Sequence, residues 1–422
     1  MNQYYIFVIL CVIAAFSSYV NYRYLKLPKA IGLTVLSALI ALLIALLLKI
    51  DHKSLFPIYT LLYNVNFKEV VLEVLLGYLV FASAMHLNFV EIKRNSYGIF
   101  ILSSLGVVIS TFTIGTLCWI AAPYILGIHV DYVRCLMIGA IFSPTDPVTV
   151  FDVFKKNTNV PKKVKTILSG EALFNDVFSI VLFLFFLSIV VDGKQNTGSV
   201  TLLFMFAQDI LGGALLGALL GYLAKTLMSR LDDGYTLIIV SLAFVSFGSW
   251  FATYLNVSEA VAMAITGIVI GNSRPQERVS VESKAILTNF WMVIDELLNA
   301  FLFVLVGIEI LEMNPSWYFI AAGVVVFVIS VIARYSSVII SLFLTERKKH
   351  VDFWRNNLII TWAGLRGGVS IALALSIPLA HRETNSFSIV YIAVFLSIFI
   401  QGVTFKKLLD RLYNNKVAYS KS

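Results

Sequence analysis

The sequence predicts an all-α polytopic membrane protein with 13 transmembrane helices. Three observations predict it. Hydrophobic residues make up 59% of the 422-residue chain and charged residues only 13%, against roughly a quarter charged in soluble domains; mean hydropathy is +0.88. Apolar stretches of about 20 residues, the length that crosses a bilayer, recur from end to end. Basic residues alternate from loop to loop.

The spans run about 4–20, 30–49, 69–88, 97–124, 132–154, 164–191, 200–228, 236–254, 258–272, 285–311, 317–344, 356–379 and 387–405. Loops after odd-numbered spans carry clusters: Arg23, Lys26 and Lys29; Lys155, Lys156, Lys162, Lys163 and Lys165; Arg347, Lys348, Lys349 and Arg355. With the tail, that side holds 24 Lys and Arg residues. The opposite side holds six: Lys49, Lys53, Lys68, Arg134, Lys194 and Arg382. Arg334 and Arg366 fall inside spans. The asymmetry predicts a multi-pass protein of the cell membrane, N-terminus outside and C-terminus cytoplasmic. A missed or surplus span would scramble the alternation. The net charge of +8 is then loop charge that orients the chain in a lipid bilayer, and no nucleic-acid partner is expected.

The first run, Tyr4–Val20, has no basic residue ahead of it and no small-residue cleavage site, which predicts a retained helix rather than a signal peptide. Cys11, Cys118 and Cys135 are odd in number and scattered, so neither a disulfide framework nor a resident metal or cofactor is expected. In span 7, Gly213, Gly217 and Gly221 recur every four residues. That spacing lets helices approach closely, and it predicts packing within the protomer rather than a seam between protomers. The segment 406–422 reads as a short, basic, polar tail.

Charges inside spans carry the functional signal. Glu73 lies in span 3, Asp146 in span 5, Glu171 and Asp176 in span 6, Arg334 in span 11 and Arg366 in span 12. Each costs roughly 2.5–3.5 kcal/mol at the bilayer centre, so six unpaired groups would cost about 15–20 kcal/mol, more than a typical net stability. They must pair, face water or change protonation. Four acids against two bases leave carboxylates over, which points to a cation or a proton. Asp209, Glu259, Asp295 and Glu296 fall near span ends or in hydrated places; Asp295 and Glu296 are also candidates to line an ion funnel.

Span 5 contains "SPTDP", residues 143–147. Pro144 and Pro147 lack the N–H that the carbonyls of Ala140 and Ser143 would use. Free carbonyls at membrane depth persist only where they line a site or cavity. Asp146, between the two half-helices, can offset a positive helix end. Span 12 contains "WAGLRGGVSIAL", where Gly364, Gly367 and Gly368 weaken the helix around Arg366. If spans 1–6 and 8–13 are inverted repeats joined by span 7, these two breaks occupy matching positions, the pointer to a transporter's binding site. Span 6 opens with "GEALFNDV". Glu171 and Asn175 share a helix face, while Asp176 lies about 140° around from Glu171, so the two acids look in different directions.

"SPTDPV", "GEALFND" and "GLRGGVS", in this order, resemble the monovalent cation/proton antiporters of the NhaP/NHE type. "LPKAIGLTV", "NAFLFVLVGIEI" and "ARYSSV" extend the resemblance over nearly the whole chain. It implies a homodimer of 13-helix protomers in which a core with crossed broken helices moves against a scaffold. The scaffold is then residues 1–95 and 196–314, and the core residues 96–195 and 315–405. The resemblance makes Asp176 the main group for ion and proton. Asp146 and Asn175 support the half-helices, Thr145 offers its main-chain carbonyl, and Glu73 fits a third-helix ligand. Glu171 pairs with an arginine, Arg334 favoured and Arg366 second. Ala172 departs from the pattern, standing where many members have serine.

The chemistry follows from one carboxylate. In a membrane cavity either a proton or Na⁺ cancels its charge, and the two compete. Oxygen ligands suit a hard cation. Asn175 does not titrate, which predicts electroneutral exchange of one Na⁺ (or Li⁺) for one H⁺, serving pH and sodium homeostasis. A K⁺/H⁺ exchanger is the alternative within the class. A cation channel, which needs a continuous lined pore, fits acids at broken helices less well. An intramembrane enzyme lacks H-E-x-x-H and G-x-S-x-G motifs.

Overall fold

A computed structural model describes residues 3–47, 67, 70–146, 150, 153–154, 160–192, 199–273, 279–313, 316–345, 351–378 and 386–419. Every regular element among the described residues is helical. In chain order the α-helices are α1 (Gln3–Val20), α2 (Lys29–Leu47), α3 (Leu76–Met85), α4 (Phe89–Arg94), α5 (Ser96–Ser103), α6 (Leu105–Leu126), α7 (Tyr132–Ile141), α8 (Lys162–Asp192), α9 (Ser199–Met228), α10 (Gly234–Tyr254), α11 (Glu259–Gly271), α12 (Val281–Ile308), α13 (Trp317–Thr345), α14 (Val351–Trp362), α15 (Gly368–Leu375), α16 (Ser386–Leu396) and α17 (Gly402–Tyr419). Among the described residues nine helical stretches are long and apolar enough to cross a bilayer, and α3, α7 and α11 are shorter apolar helices. The chain is a multi-pass membrane protein.

Local chemistry sets the helix ends. Asn88 Oδ1 accepts the N–H groups of Val90 (3.0 Å) and Glu91 (3.3 Å) at the start of α4. Asp233, Ser258 and Ser280 cap α10, α11 and α12 in the same way, each satisfying donors that a helix start leaves unpaired.

One group of helices packs α2 between α1 and α12, with α3 against both α11 and α12 and α9 along α11. The glycine stripe of α9 makes the last contact possible. A Cβ on Gly213 would stand 2.6 Å from the carbonyl oxygen of Ser258, and Gly217 lies on the main chain of Ala262; Thr266 Oγ1 donates to the Gly217 carbonyl at 3.1 Å. The stripe therefore packs inside the protomer, as its spacing predicted. The other group packs α6 against α7 and α13, α8 against α5 and α7, and α16 against α13 and α15. The two groups meet where α15 touches α12 and where α8 touches α3 and α11.

Two elements differ from their sequence reading. Span 4 is two helices, α5 and α6, interrupted at Ser104, whose hydroxyl donates to the Phe100 carbonyl at 2.5 Å. Back-bonding of this kind bends helices. Span 13 passes through a π-turn, Ser397–Gln401, and continues as α17 to Tyr419, so most of the segment read as a polar tail is helical. Phe405, Leu409 and Tyr413, four apart on one face, are buried beside Val150, Val153 and Phe154.

Candidate functional site

α7 stops at Ile141, and the chain runs non-helically through Pro144, Thr145 and Asp146. The sequence reading left the carbonyls of Ala140 and Ser143 without partners. The structure corrects the first: Ser143 N–H donates to Ala140 at 3.2 Å, a tighter turn of the kind that closes helix ends. The carbonyls released are those of Ser143 and Pro144. Arg366 Nη1 donates to both, at 3.0 and 3.1 Å, placing a cation at the negative end of α7. Pro147 lies outside the described residues.

Span 12 breaks between α14 and α15, and the two breaks meet. Asp146 N–H donates to the Leu365 carbonyl at 2.7 Å. A Cβ on Gly367 would stand 2.6 Å from both Cβ and Oδ2 of Asp146, so a side chain at 367 would force the breaks apart. Arg366 is 1% exposed. Its N–H donates to Ser397 Oγ at 2.9 Å, and that hydroxyl donates to Gln401 Oε1 at 2.5 Å. Its Nη2 reaches the Ser330 carbonyl of α13 at 3.4 Å.

α8 presents the acids of span 6. Glu171 and Asn175 are fully buried, one turn apart. Both carboxylate oxygens of Glu171 meet Arg334 of α13: Oε1 lies 2.6 Å from Nη1, and Oε2 accepts from Nη2 at 2.7 Å. This is the two-point fork that carboxylate and guanidinium form best. Asn175 Nδ2 donates to Thr145 Oγ1 at 2.5 Å and to Glu171 Oε1 at 3.3 Å, tying α8 to the break in span 5.

Asp176 turns the other way, onto the wall of a cavity of about 450 Å³. Thr145 and Asp146 of one break share that wall with Gly367 and Ser370 of the other, and with Ala172 of α8. The cavity continues past Ser83, His86, Ser169, Asp295, Glu296 and Asn299. Asp295 Oδ1 accepts from Ser83 Oγ and Asn299 Nδ2, both at 3.2 Å. Glu296 pairs with Lys29 at 2.5 Å. Glu73 belongs to the π-turn Val70–Leu75, which packs against α15; its side chain lies outside the described residues. The cavity thus gathers Asp176, Thr145, Asp146 and Pro144. Glu171, Arg334, Asn175 and Arg366 stand behind it.

A family model described as the transmembrane sodium/hydrogen exchanger matches residues 11–411. The chain belongs to the sodium/hydrogen exchanger family. That family is one of transporters, not of enzymes. The chain is 34% identical over 400 residues to the Na(+)/H(+) antiporter NhaP of Pseudomonas aeruginosa, covering 94% of each chain. It is 32% identical over 355 residues to the Na(+)/H(+) antiporter NhaH of Halobacillus aidingensis, covering 82% of this chain and 84% of that one. The structure of the sodium proton antiporter MjNhaP1 from Methanocaldococcus jannaschii superposes with a TM-score of 0.73 at 18% identity, covering 98% and 99% of the two chains. The fold of this exchanger is therefore that of MjNhaP1.

Of the neutral members of the site, Thr145 and Asn175 came from the family resemblance, and sequence reasoning missed the others. Ser397 and Gln401, Asn299, and Ser370 carry no charge, so no insertion cost flagged them. The one available signal was spacing: Ser397 and Gln401 stand one turn apart within an apolar span.

Proposed function

We propose that this exchanger is a secondary active transporter that moves Na⁺ against H⁺ by alternating access, with Asp176 holding one or the other. One observation carries the reading: Asp176 faces the cavity where two broken helices meet, while Glu171 on the same helix is held by Arg334. A charged carboxylate carried across the membrane without a counter-charge is costly. Either a proton or a Na⁺ ion removes that cost, and occupancy by one excludes the other. Thr145 supplies a main-chain carbonyl, Asp146 a second carboxylate, and Glu73 a further one from the third span. The names of the relatives support Na⁺ and H⁺ as the pair.

The architecture proposed with it has 13 spans in two inverted repeats. Spans 4–6 and 11–13 form a core that moves against spans 1–3 and 7–10, and the two packing groups of helices support that division. The protein works as a homodimer in the cell membrane, N-terminus outside. The cavity runs toward His86 and Ser169, and the Ser169 hydroxyl donates to the Lys165 carbonyl; Lys165 belongs to the basic side, which supports an inward-facing arrangement.

The test uses purified protein in liposomes that enclose a pH dye, with Na⁺, Li⁺ and K⁺ added in turn. Na⁺ and Li⁺ are expected to drive proton movement. A response to K⁺ alone would overturn the cation assignment. Asp176→Asn is expected to abolish the response while the protein elutes unchanged from gel filtration; retained exchange would overturn the role of Asp176.

A further inference from the structure

We infer that Ser370 is a ligand of the transported cation, through its hydroxyl oxygen. The inference rests on the cation/proton reading of the cavity. Ser370 lies in the first turn of α15 and lines the cavity with Asp176, Thr145 and Asp146. Its side chain is fully buried, and its Oγ has no hydrogen-bond partner among the described residues. Serines within helices ordinarily bond back to a carbonyl one turn earlier. Ser337 and Ser376 of this protein do so, at 3.0 and 2.8 Å. A buried hydroxyl without a partner is destabilising, so the position calls for one that comes from the cavity.

Other buried serines without a partner, Ser17, Ser179, Ser249 and Ser341, lie away from the cavity wall. The other hydroxyls on that wall, among the described residues, are committed. Thr145 Oγ1 accepts from Asn175, Ser169 Oγ donates to the Lys165 carbonyl and Ser83 Oγ donates to Asp295 Oδ1. From α8 the wall takes Ser169, Ala172, Leu173 and Asp176; between Ser169 and Asp176 it offers no side-chain oxygen. Ser370 is three residues beyond Gly367, the residue that touches Asp146. Residues at that spacing are neighbours on one helix face. The start of α15 is a positive helix end, and the Asp146 carboxylate beside Gly367 offsets it. A cation held by Asp176 in the cavity can therefore meet a further hard oxygen donor at Ser370, on the same wall as Thr145 and Asp146. Turning χ1 between its staggered positions redirects that oxygen without moving the backbone.

The experiment measures Na⁺- and Tl⁺-driven proton movement in liposomes for the wild type and for Ser370→Ala, Ser370→Thr and Ser370→Cys. Loss of one hydroxyl ligand is expected to raise the KM for Na⁺ about tenfold, with Vmax changed less than about twofold. Ser370→Thr keeps the oxygen and is expected to restore the wild-type KM. Ser370→Cys keeps the shape but offers soft sulfur, so it is expected to raise the KM for Na⁺ while lowering that for Tl⁺. This reversal of preference is not produced by a structural role, and it carries the test if the alanine variant does not fold. An unchanged KM for Na⁺ in Ser370→Ala, or an unchanged Na⁺/Tl⁺ preference in Ser370→Cys, overturns the inference while leaving exchange by the wild type intact. A wild type that moves no protons with either cation overturns the cation/proton reading itself.

Discussion

Replacing Glu171 with glutamine keeps the shape of the side chain and removes its charge. Arg334 is 3% exposed and Glu171 1%, so the guanidinium left behind cannot hydrate. Breaking one partner out of a buried ion pair costs about 3–5 kcal/mol. An amide still accepts one hydrogen bond, which places Glu171→Gln toward the lower end of that range. Removing both charges, as in Glu171→Met with Arg334→Met, should cost far less than the sum of the single replacements, because no uncompensated charge remains. The coupling expected from the cycle is up to about 3 kcal/mol. The assay is thermal unfolding in detergent, followed by intrinsic tryptophan fluorescence, to which the fully buried Trp291 contributes. Arg334→Lys serves as a second probe: it keeps the charge but loses the fork, and it is expected to unfold between the wild type and Glu171→Gln. Additive effects in the cycle, or unfolding of Glu171→Gln coincident with the wild type, would refute the claim that this pair holds α8 to α13.

Gly367→Ala is expected to abolish exchange, because its Cβ would stand 2.6 Å from Asp146 Oδ2. Gly98→Ala is the control, since the nearest atom to that Cβ is 3.9 Å away; dye-loaded liposomes read both. Outside the membrane, Asp232 is held below the usual carboxylate range first by the Ser280 N–H, and Asp233 first by the Thr236 hydroxyl. A folded-state value below the unfolded one, near 3.9, gives stability that is present above the unfolded value and lost as pH falls through the folded one. The difference in unfolding temperature between the wild type and Asp232→Ala/Asp233→Ala is therefore expected to be constant near neutrality, to shrink as pH falls below about 4, and to lose this contribution fully only below the folded-state values.

The charged half of the site was legible because a bilayer penalises charge. Asp146, Glu171, Asp176, Arg334 and Arg366 stood out from apolar runs, and the helix period separated Glu171 from Asp176. The arginine partner of Glu171 is set by the tertiary arrangement that brings Arg334 of α13 within reach of α8, which no local pattern encodes. The carbonyl of Ala140 was misjudged because a tighter turn rescued it, and turn type is a tertiary outcome at a proline. Ser104 as a helix break and Ser370 as a cavity residue were silent for one reason: a serine in a helix usually satisfies itself and leaves no trace in hydropathy.

The way charges cancel at the site also decides what the transporter carries electrically. Glu171 is matched by Arg334. Arg366 and Asp146 sit at the same meeting of helix ends, and Asn175 adds no charge. Asp176 is then the odd charge of the group, in a cavity whose lining includes Leu76, Leu79, Val80 and Leu302. An uncompensated carboxylate moving past those apolar side chains would lose its water without gaining a partner. In the proposed cycle Na⁺ or H⁺ on Asp176 would make the group neutral, and both loaded forms would cross at similar cost. Selectivity against the empty form would then couple the two fluxes, which predicts one Na⁺ for one H⁺ with no net charge moved. The rate of exchange in liposomes clamped with valinomycin and K⁺ gradients is expected not to change with membrane potential. A rate that scales with the potential would show a second charge travelling with Asp176, and Glu73 is the residue to replace next.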